Sequence, residues 1–408
     1  MNATPQSLRD ATSVRAARLG IPAAFRDELP FLAGVLFGLG VMAVFGFFAV
    51  RDRNLPVNDF SYMWAGGHTV LDGRSPYDGT SFPAESLRFG TAPPHEAVFA
   101  YPPWVALALV PFAALPLWIA SGVFTYGGML LAALALRALV RSFVPNLPIA
   151  HTLAGAALFA SQPGIAAMEA GQWGFLVAAI SAWSVIALRM RSTRRVFVSL
   201  ALLVKPQLAL FAVWALLRAT LARAGRRVAI ALAAAFGAVI VATVLVFPEW
   251  PEAYRTTFVA QRLGYQPPTT PAQALFDLLG GPGVWIAVGV LFAAIAAGLA
   301  FDPRGDAWLG VWLATSAAFP VYSWSYDQVV LVVPLVIATG VVLRRSRGRA
   351  LAVAAAGFGF LLLVPTLLYE IADRRQNESF SAFVPLAVLA LVLVASWPMR
   401  RERAGPPA

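Results

Sequence analysis

Apolar residues in this chain fall in long continuous runs, and short segments between the runs hold most of the charged residues. Each run is near 20 residues long, about the length that an α-helix needs to cross about 30 Å of hydrocarbon. The lipid core offers no water to backbone N–H and C=O groups, so such runs must be helical. The pattern predicts an all-α polytopic membrane protein with about 10 to 13 transmembrane helices.

The runs divide the chain into one membrane domain with short tails. We expect a cytoplasmic N-terminal tail at residues 1–29, a single transmembrane domain at 30–398 and a cytoplasmic C-terminal tail at 399–408. Two stretches stay open. Residues 102–140 form one kinked span or two short ones, because Pro111 and Pro116 interrupt them. Residues 196–217 form either a re-entrant pair around Lys205 and Pro206 or a single span.

Arginines set the predicted orientation, because cytoplasmic loops of membrane proteins are enriched in Lys and Arg. The N-terminal tail carries Arg9, Arg15, Arg18 and Arg26, which place it in the cytoplasm. Residues 51–101 hold four arginines against six acidic residues and are expected to form the first outer loop. By alternation, residues 248–283 form the second outer loop. The later arginine clusters, which mark the cytoplasmic side, lie at 189–195, 218–227, 344–349 and 400–403.

Composition agrees with a membrane protein and excludes several other classes. Hydrophobic residues make up 59% of the chain and charged residues 12%, against about 25% charged residues in soluble proteins. The net charge of +11 comes from arginine clusters between apolar runs, so nucleic acid is not an expected partner. Cysteine is absent, and His68, His95 and His151 lie far apart in sequence, which excludes thiolate ligands and argues against a histidine-rich metal site. A divalent ion held by outer carboxylates stays open as a cofactor, without a tight ligand cluster in the sequence.

The first outer loop carries an amphipathic pattern just after the first run. Apolar residues recur at helical spacing on one face, at Phe60, Met63, Trp64, Val70 and Leu71. Asn58 or Asp59 stands at a favourable capping position, and Gly73 ends the pattern. We therefore predict a short amphipathic helix that lies along the outer membrane surface.

Several short motifs follow one another in a fixed order along the chain. They are Asp-Phe at 59–60, Gly-x-Ser-Pro-Tyr at 73–77, Tyr-Pro-Pro at 101–103, Gly-Gln at 171–172, Lys-Pro-Gln at 205–207 and Ser-Tyr-Asp-Gln at 325–328. This ordered set resembles the membrane glycosyltransferases of family 87 (DUF2029), which have the GT-C fold. One departure is the absence of the family's asparagine shortly after Gly-Gln, where Trp173, Gly174 and Phe175 follow.

The resemblance implies an inverting hexosyltransferase with a GT-C-like helix bundle. Such an enzyme would move a sugar, mannose above all, from a polyprenyl-phosphate donor to a lipid or glycan acceptor at the outer face of a bacterial plasma membrane. Asp59 occupies the position of the general base in that family. Its other interpretation is a plain helix N-cap. Lys205 is the only lysine, and in an apolar run it either binds the donor phosphate or extends its ammonium to the interface.

Eight further residues are candidates for substrate contacts. They are Tyr101, Gln172, Tyr326, Asp327, His68, Glu169, Arg255 and Arg262. Arginine suits phosphate because its guanidinium forms paired hydrogen bonds, and the other side chains suit sugar hydroxyls. A helix cap at Asp327, an interfacial His68 and solvated side chains at Glu169 and the two arginines are the alternatives.

Two other functions compete with the transferase. A secondary transporter also has many spans, intramembrane charges and broken helices, and often shows two related halves. No such halves with matching broken segments are seen here, and the candidate residues cluster in outer loops. A non-catalytic protein of envelope assembly would not need the carboxylate of Asp59. The partners implied by the transferase are the lipid-linked donor, the acceptor and membrane lipids.

Overall fold

The computed structural model describes residues 27–52, 58–89, 99–259, 268–375 and 377–397, and every regular element within them is helical. The α-helices are α1 (Leu29–Asp52), α2 (Asp59–Leu71), α3 (Ser81–Arg88), α4 (Pro103–Ala113), α5 (Leu117–Phe143), α6 (Pro148–Ala160), α7 (Gln162–Ala170), α8 (Gly174–Arg189), α9 (Pro206–Arg223), α10 (Arg226–Val246), α11 (Trp250–Ala253), α12 (Pro271–Leu279), α13 (Gly281–Leu299), α14 (Asp306–Ala318), α15 (Val332–Leu343), α16 (Arg347–Arg375) and α17 (Phe383–Ser396). Three 3-10 helices, Arg195–Val204, Ser325–Leu331 and Ser379–Ala382, and a π-helix, Tyr254–Val259, complete the set. The prediction of an all-α chain is confirmed.

Six helices of the described residues are long and apolar enough to cross a membrane. They are Leu117–Phe143, Arg226–Val246, Gly281–Leu299, Ser325–Leu343, Arg347–Ala372 and Ser379–Ser396. The count rises to seven if α7 and α8, which meet at a bend of 117°, form one broken span. The protein is therefore a polytopic membrane protein, as predicted. Four shorter apolar helices, Leu29–Phe45, Pro103–Ala113, Pro148–Ala160 and Arg195–Val204, lie beside these spans in the described residues, and the total of 10 to 13 spans stays a prediction.

Both stretches that the sequence left open are broken in the structure. Residues 102–140 form two helices, since α4 ends at Ala113 and α5 begins after Pro116. Residues 196–217 are interrupted at Lys205, whose φ of −139° and ψ of 71° separate the 3-10 helix Arg195–Val204 from α9. Pro206 then starts α9, a position where the missing N–H of proline costs no helical hydrogen bond.

Helix α2 has the bounds that the sequence predicts. Asn58 is its N-cap, Asp59 its first residue, and Gly73 follows its end with a left-handed φ of +71°. Phe60, Met63 and Trp64 of the predicted apolar face are buried, whereas Leu71 is 44% exposed.

The surroundings of α2 differ from a helix that rests on a membrane by one face. Gly66 and Gly67 are buried as well, and a Cβ on Gly66 would lie 2.5 Å from the Phe99 ring. A Cβ on Gly67 would lie 2.9 Å from Leu109 of α4. The sequence pattern indicates the apolar face only. It does not indicate that two glycines let neighbouring segments approach the helix closely. Helix α2 is therefore enclosed by protein on more sides than predicted.

Candidate active site

Two glycines flank the break between α7 and α8, and neighbouring residues lie close to the backbone of each. Gly171 ends α7 with a left-handed φ of +62°, and a Cβ there would lie 2.8 Å from Asn58 Nδ2. A Cβ on Gly174 would lie 2.9 Å from the backbone oxygen of Tyr326. Glycine is needed at both positions, and at Gly171 the backbone conformation requires it too. Gln172, one of the two residues between these glycines, is thereby fixed between the start of α2 and the 3-10 helix Ser325–Leu331.

Gln172 joins two other candidate residues through hydrogen bonds. The Tyr101 hydroxyl donates to Gln172 Oε1 at 3.1 Å, and Gln172 Nε2 donates to Asp59 Oδ2 at 2.8 Å. Gln172 is buried, and Asp59 at the first turn of α2 is exposed. Because an ionised carboxylate can only accept hydrogen bonds, the amide N–H₂ is the end that faces Asp59, and the amide oxygen is left to accept from Tyr101. Gln172 and Tyr101 therefore hold one oxygen of an exposed carboxylate in place.

A second carboxylate, Asp327, lies in a different environment. It accepts a hydrogen bond from the ammonium of Lys205, and the two side chains are only 2% and 3% exposed. Its other oxygen accepts from the backbone N–H of Trp324 at 3.1 Å. Asp327 thus acts both as a helix cap and as the partner of the single lysine. Lys205 does not extend to the interface; its charge is compensated in the protein interior.

Tyr326 lies between these two groups. The Lys205 Nζ atom is 4.8 Å from the centroid of the Tyr326 ring, a distance typical of a cation–π contact. Tyr326 is also within electrostatic range of Asp59, Asp327 and Tyr101. Six candidate residues from widely separated segments therefore come together: Asp59, Tyr101, Gln172, Lys205, Tyr326 and Asp327.

Among the other candidates, His68 and Arg255 form ion pairs with residues outside this group. His68 lies nine residues after Asp59 on α2, roughly 13 Å along the helix axis. Glu169 is exposed in the last turn of α7. Arg255 forms an exposed ion pair with Glu252 at 2.7 Å. Arg262 lies outside the described residues.

His68 instead belongs to an ion-pair cluster at the end of α2. Ligand-type atoms of His68, Asp72 and Glu85 lie within 4.8 Å of one another, the kind of group that can hold a metal ion. The Arg88 Nη1 atom lies 3.2 Å from both carboxylates, and Arg74 also contacts both. Two guanidinium groups thus already compensate two carboxylates, and a metal ion would have to displace one of them. No sequence motif indicated this cluster, because Glu85 comes from the next helix, α3.

Tyr77 ends the Gly-x-Ser-Pro-Tyr motif and has a place in the site that the sequence did not indicate. It is 2% exposed, and its hydroxyl donates to the backbone oxygen of Tyr101. Burial raises the pKa of Tyr77 well above its ordinary value. The hydroxyl therefore keeps its proton and serves as a hydrogen-bond donor that fixes the backbone beside Tyr101.

The start of the second predicted outer loop packs beside the first. Ser75 donates a hydrogen bond to Glu249, and the Tyr77 and Phe247 rings are 5.9 Å apart. Trp250 lies 5.8 Å from Trp104 between ring centroids. No motif indicated these contacts, which place the 247–254 segment next to the residues that follow α2.

Comparison with known proteins found one family that matches part of the chain. The family model "Glycosyltransferase family 87" matches residues 99–280, a little under half of the chain. The matched region contains Tyr101, Gln172 and Lys205, whereas Asp59 and Asp327 lie outside it. No curated protein and no solved structure matches the chain. The family match confirms the resemblance seen in the motifs and indicates a glycosyltransferase.

Proposed function

We propose that this membrane glycosyltransferase is a GT-C enzyme that moves a hexose, mannose above all, from a polyprenyl-phosphate-linked donor to a lipid or glycan acceptor. The reaction would take place at the outer face of a bacterial plasma membrane and invert the anomeric configuration. The observation that carries the proposal is the exposed carboxylate of Asp59, held by Gln172 in a group of polar residues that the family motifs share.

Asp59 is the proposed general base. An acceptor hydroxyl hydrogen-bonded to its carboxylate would lose a proton to it while the hydroxyl oxygen attacks the anomeric carbon. The bond between that carbon and the donor phosphate oxygen breaks, and its electron pair leaves with the polyprenyl phosphate. Attack from the face opposite the phosphate inverts the anomeric centre. The proton ends on Asp59, and the negative charge ends on the phosphate.

Gln172 and Tyr101 are proposed as positioning residues. The sequence suggested that both contact substrate, but the structure occupies the Gln172 amide with Asp59 and Tyr101. A carboxylate held by a fixed donor loses less orientational freedom when it takes up the acceptor proton. Their proposed effect is therefore on the rate of the chemical step.

The role of Lys205 is revised by its pairing with Asp327. A buried ion pair with no net charge attracts a phosphate far less than a single cation does. Lys205 and Asp327 are proposed to fix the backbone around Tyr326, which faces the Asp59 group. Tyr326 itself is the proposed sugar contact of this segment, because an aromatic ring can stack on a sugar face.

The donor phosphate then needs another partner, and the second outer loop supplies the candidates Arg255 and Arg262. Support comes from the contacts of Glu249 and Trp250, which place the start of this loop beside the first one. An arginine fork would stabilise the charge that develops on the leaving phosphate.

The test compares purified wild type with Asp59→Asn, using radiolabelled polyprenyl-phosphate-mannose and membrane lipid acceptors. Loss of a general base is expected to lower the transfer rate by about 10²- to 10⁴-fold. Asp72→Asn is the matched control, since Asp72 is a carboxylate just after the other end of α2, within the ion-pair cluster. Its transfer rate is expected to stay close to that of wild type.

Each alternative predicts a different result. Full activity of Asp59→Asn would contradict the general base, and no transfer by wild type from any polyprenyl-phosphate sugar would contradict the donor class. Uptake of solute into proteoliposomes without any transfer would favour a transporter. Complementation of a deletion strain by Asp59→Asn would favour a non-catalytic assembly role.

A further inference from the structure

A second site lies between α8 and the 3-10 helix Arg195–Val204. A cavity of about 340 Å³ opens there, and its apolar walls come from Trp183, Ile186 and Ala187 of α8 and Val198 of the 3-10 helix. Arg194 and Arg195 line the same cavity. It is therefore apolar along most of its wall and cationic at the end where the 3-10 helix begins.

The two arginines lack the carboxylate partners that four other arginines of the described residues have. Arg137 and Arg141 both pair with Glu28, and Arg223 and Arg344 both pair with Asp306. Arg194 and Arg195 are exposed and make no ion pair within the described part of the chain. The sequence also has no Asp or Glu between residues 170 and 248. This end of the cavity thus carries two uncompensated positive charges.

The two arginines stand at the start of the 3-10 helix, where Arg194 is the N-cap and Arg195 the first residue. The backbone N–H groups of Arg195 and Val196 donate to Ser192 and are therefore occupied. The guanidinium groups are the donors that remain for a ligand at this end, and they favour an anion such as a phosphate.

The cavity is separate from the candidate active site. Helix α8 begins at Gly174, next to Gln172, and Ile186 lies twelve residues further on, roughly 18 Å away along the axis. The 3-10 helix likewise runs from Arg195 to Val204, directly before Lys205, over roughly 18 Å at about 2 Å per residue. The cavity and the Asp59 group therefore lie at opposite ends of the same two elements.

We propose that this cavity binds an anionic phospholipid of the membrane. The headgroup phosphate lies between the guanidinium groups of Arg194 and Arg195, and an acyl chain packs on Trp183, Ile186 and Val198. A free phosphate would use only the cationic end, whereas a phospholipid matches both the charge and the apolar wall. The site is independent of the sugar-transfer reaction and would stabilise the two elements that lead to Gln172 and Lys205.

The experiment uses the full chain purified in detergent and measures lipid retention by native mass spectrometry and thermal unfolding with added lipid. Phosphatidylglycerol and phosphatidylcholine with the same acyl chains are compared. Wild type should retain phosphatidylglycerol and unfold at a higher temperature with it than with phosphatidylcholine, because a ligand that binds only the folded state stabilises it. The double variant Arg194→Gln, Arg195→Gln should retain about tenfold less phosphatidylglycerol.

Two further variants separate the proposed site from general surface charge. Arg226→Gln with Arg227→Gln removes an adjacent arginine pair at the start of α10 that does not line the cavity, and it should keep wild-type retention. Val198→Trp fills the apolar part while keeping both arginines, and it should lose retention. It also tests the proposal if the arginine variant fails to fold.

Three results would overturn the proposal. One is equal stabilisation of wild type by the two phospholipids. Another is equal loss of retention in the Arg226 and Arg227 control, which would indicate a general charge effect. The third is full stabilisation by soluble glycerol phosphate, which would reduce the site to an anion site without a lipid.

Discussion

The two carboxylates of the candidate site, Asp59 and Asp327, both lie within electrostatic range of Tyr326 but differ in burial and in hydrogen-bond partner. Asp59 is exposed and accepts a hydrogen bond from the neutral amide of Gln172. Asp327 is 2% exposed and accepts from the ammonium of Lys205. A carboxylate paired with a buried cation is poorly suited to take up a proton, because protonation would leave that cation uncompensated. The comparison assigns chemistry to Asp59 and positioning to Asp327.

Both residues look alike in the sequence. Each follows an aromatic or polar segment and stands in the first turn of a helical element, where acidic residues are common caps. Burial and the partner across the fold separate their roles. The predictions below test this difference, beginning with the largest expected effect.

Asp327→Asn should strongly destabilise the protein. Removal of one member of a buried ion pair leaves the Lys205 ammonium uncompensated in an apolar interior, at a cost of about 3–5 kcal/mol. Thermal unfolding of the purified variant measures this as a lower midpoint temperature. The double variant Lys205→Met, Asp327→Leu removes both charges and should recover most of the loss.

The same double variant tests the revised role of Lys205. If the pair only positions Tyr326, the packed Met and Leu side chains should keep that ring in place, and the donor KM of the folded double variant should stay near that of wild type. A large rise in donor KM with normal stability would restore Lys205 as a direct phosphate partner.

Gln172→Leu should have the next largest effect. It removes a hydrogen bond to a charged acceptor, worth about 1.5–3 kcal/mol, so kcat should fall about ten- to hundredfold. The donor KM should change little, since the proposed effect is on the geometry of the base. Gln162→Leu, at another buried glutamine of the same helix pair, controls for loosened packing. A raised KM with unchanged kcat would instead make Gln172 a substrate contact.

Tyr101→Phe should have a smaller effect. It removes one neutral hydrogen bond to the Gln172 amide, worth about 0.5–1.5 kcal/mol, so kcat should fall about two- to tenfold. If Tyr101 acts through Gln172, the same change should have no further effect in the Gln172→Leu background. Additive losses in the double variant would show that the two residues act independently.

Arg255→Gln should leave the stability unchanged, because its ion pair with Glu252 is exposed and exposed pairs contribute little. Loss of a phosphate contact should raise the donor KM about threefold, an effect that weakens at high salt. Glu252→Gln breaks the same ion pair while keeping the arginine, and its donor KM should not rise. Equal donor KM values for wild type and Arg255→Gln would remove Arg255 as a phosphate partner.

The sequence by itself determined the membrane architecture and the bounds of α2. Lipid forces the backbone of an apolar run to satisfy its hydrogen bonds within a helix, so hydropathy alone indicates the class of fold. The ends of α2 follow from local signals, a polar residue at its start and Gly73 after its end. The ordered motifs also contain the six residues that the structure brings together, and the region of the family match includes three of them, Tyr101, Gln172 and Lys205.

The partners of those residues were decided only by the tertiary structure. Asp59 and Gln172 are 113 positions apart, and Lys205 and Asp327 are 122 positions apart. Such contacts depend on how distant segments pack. Here they depend on the residues that lie close to the backbones of Gly171 and Gly174. The same holds for the enclosure of α2 and the break at Lys205. A sequence pattern indicates which secondary structure each segment prefers. The partner of a polar group depends on which segments lie beside it in the packed bundle.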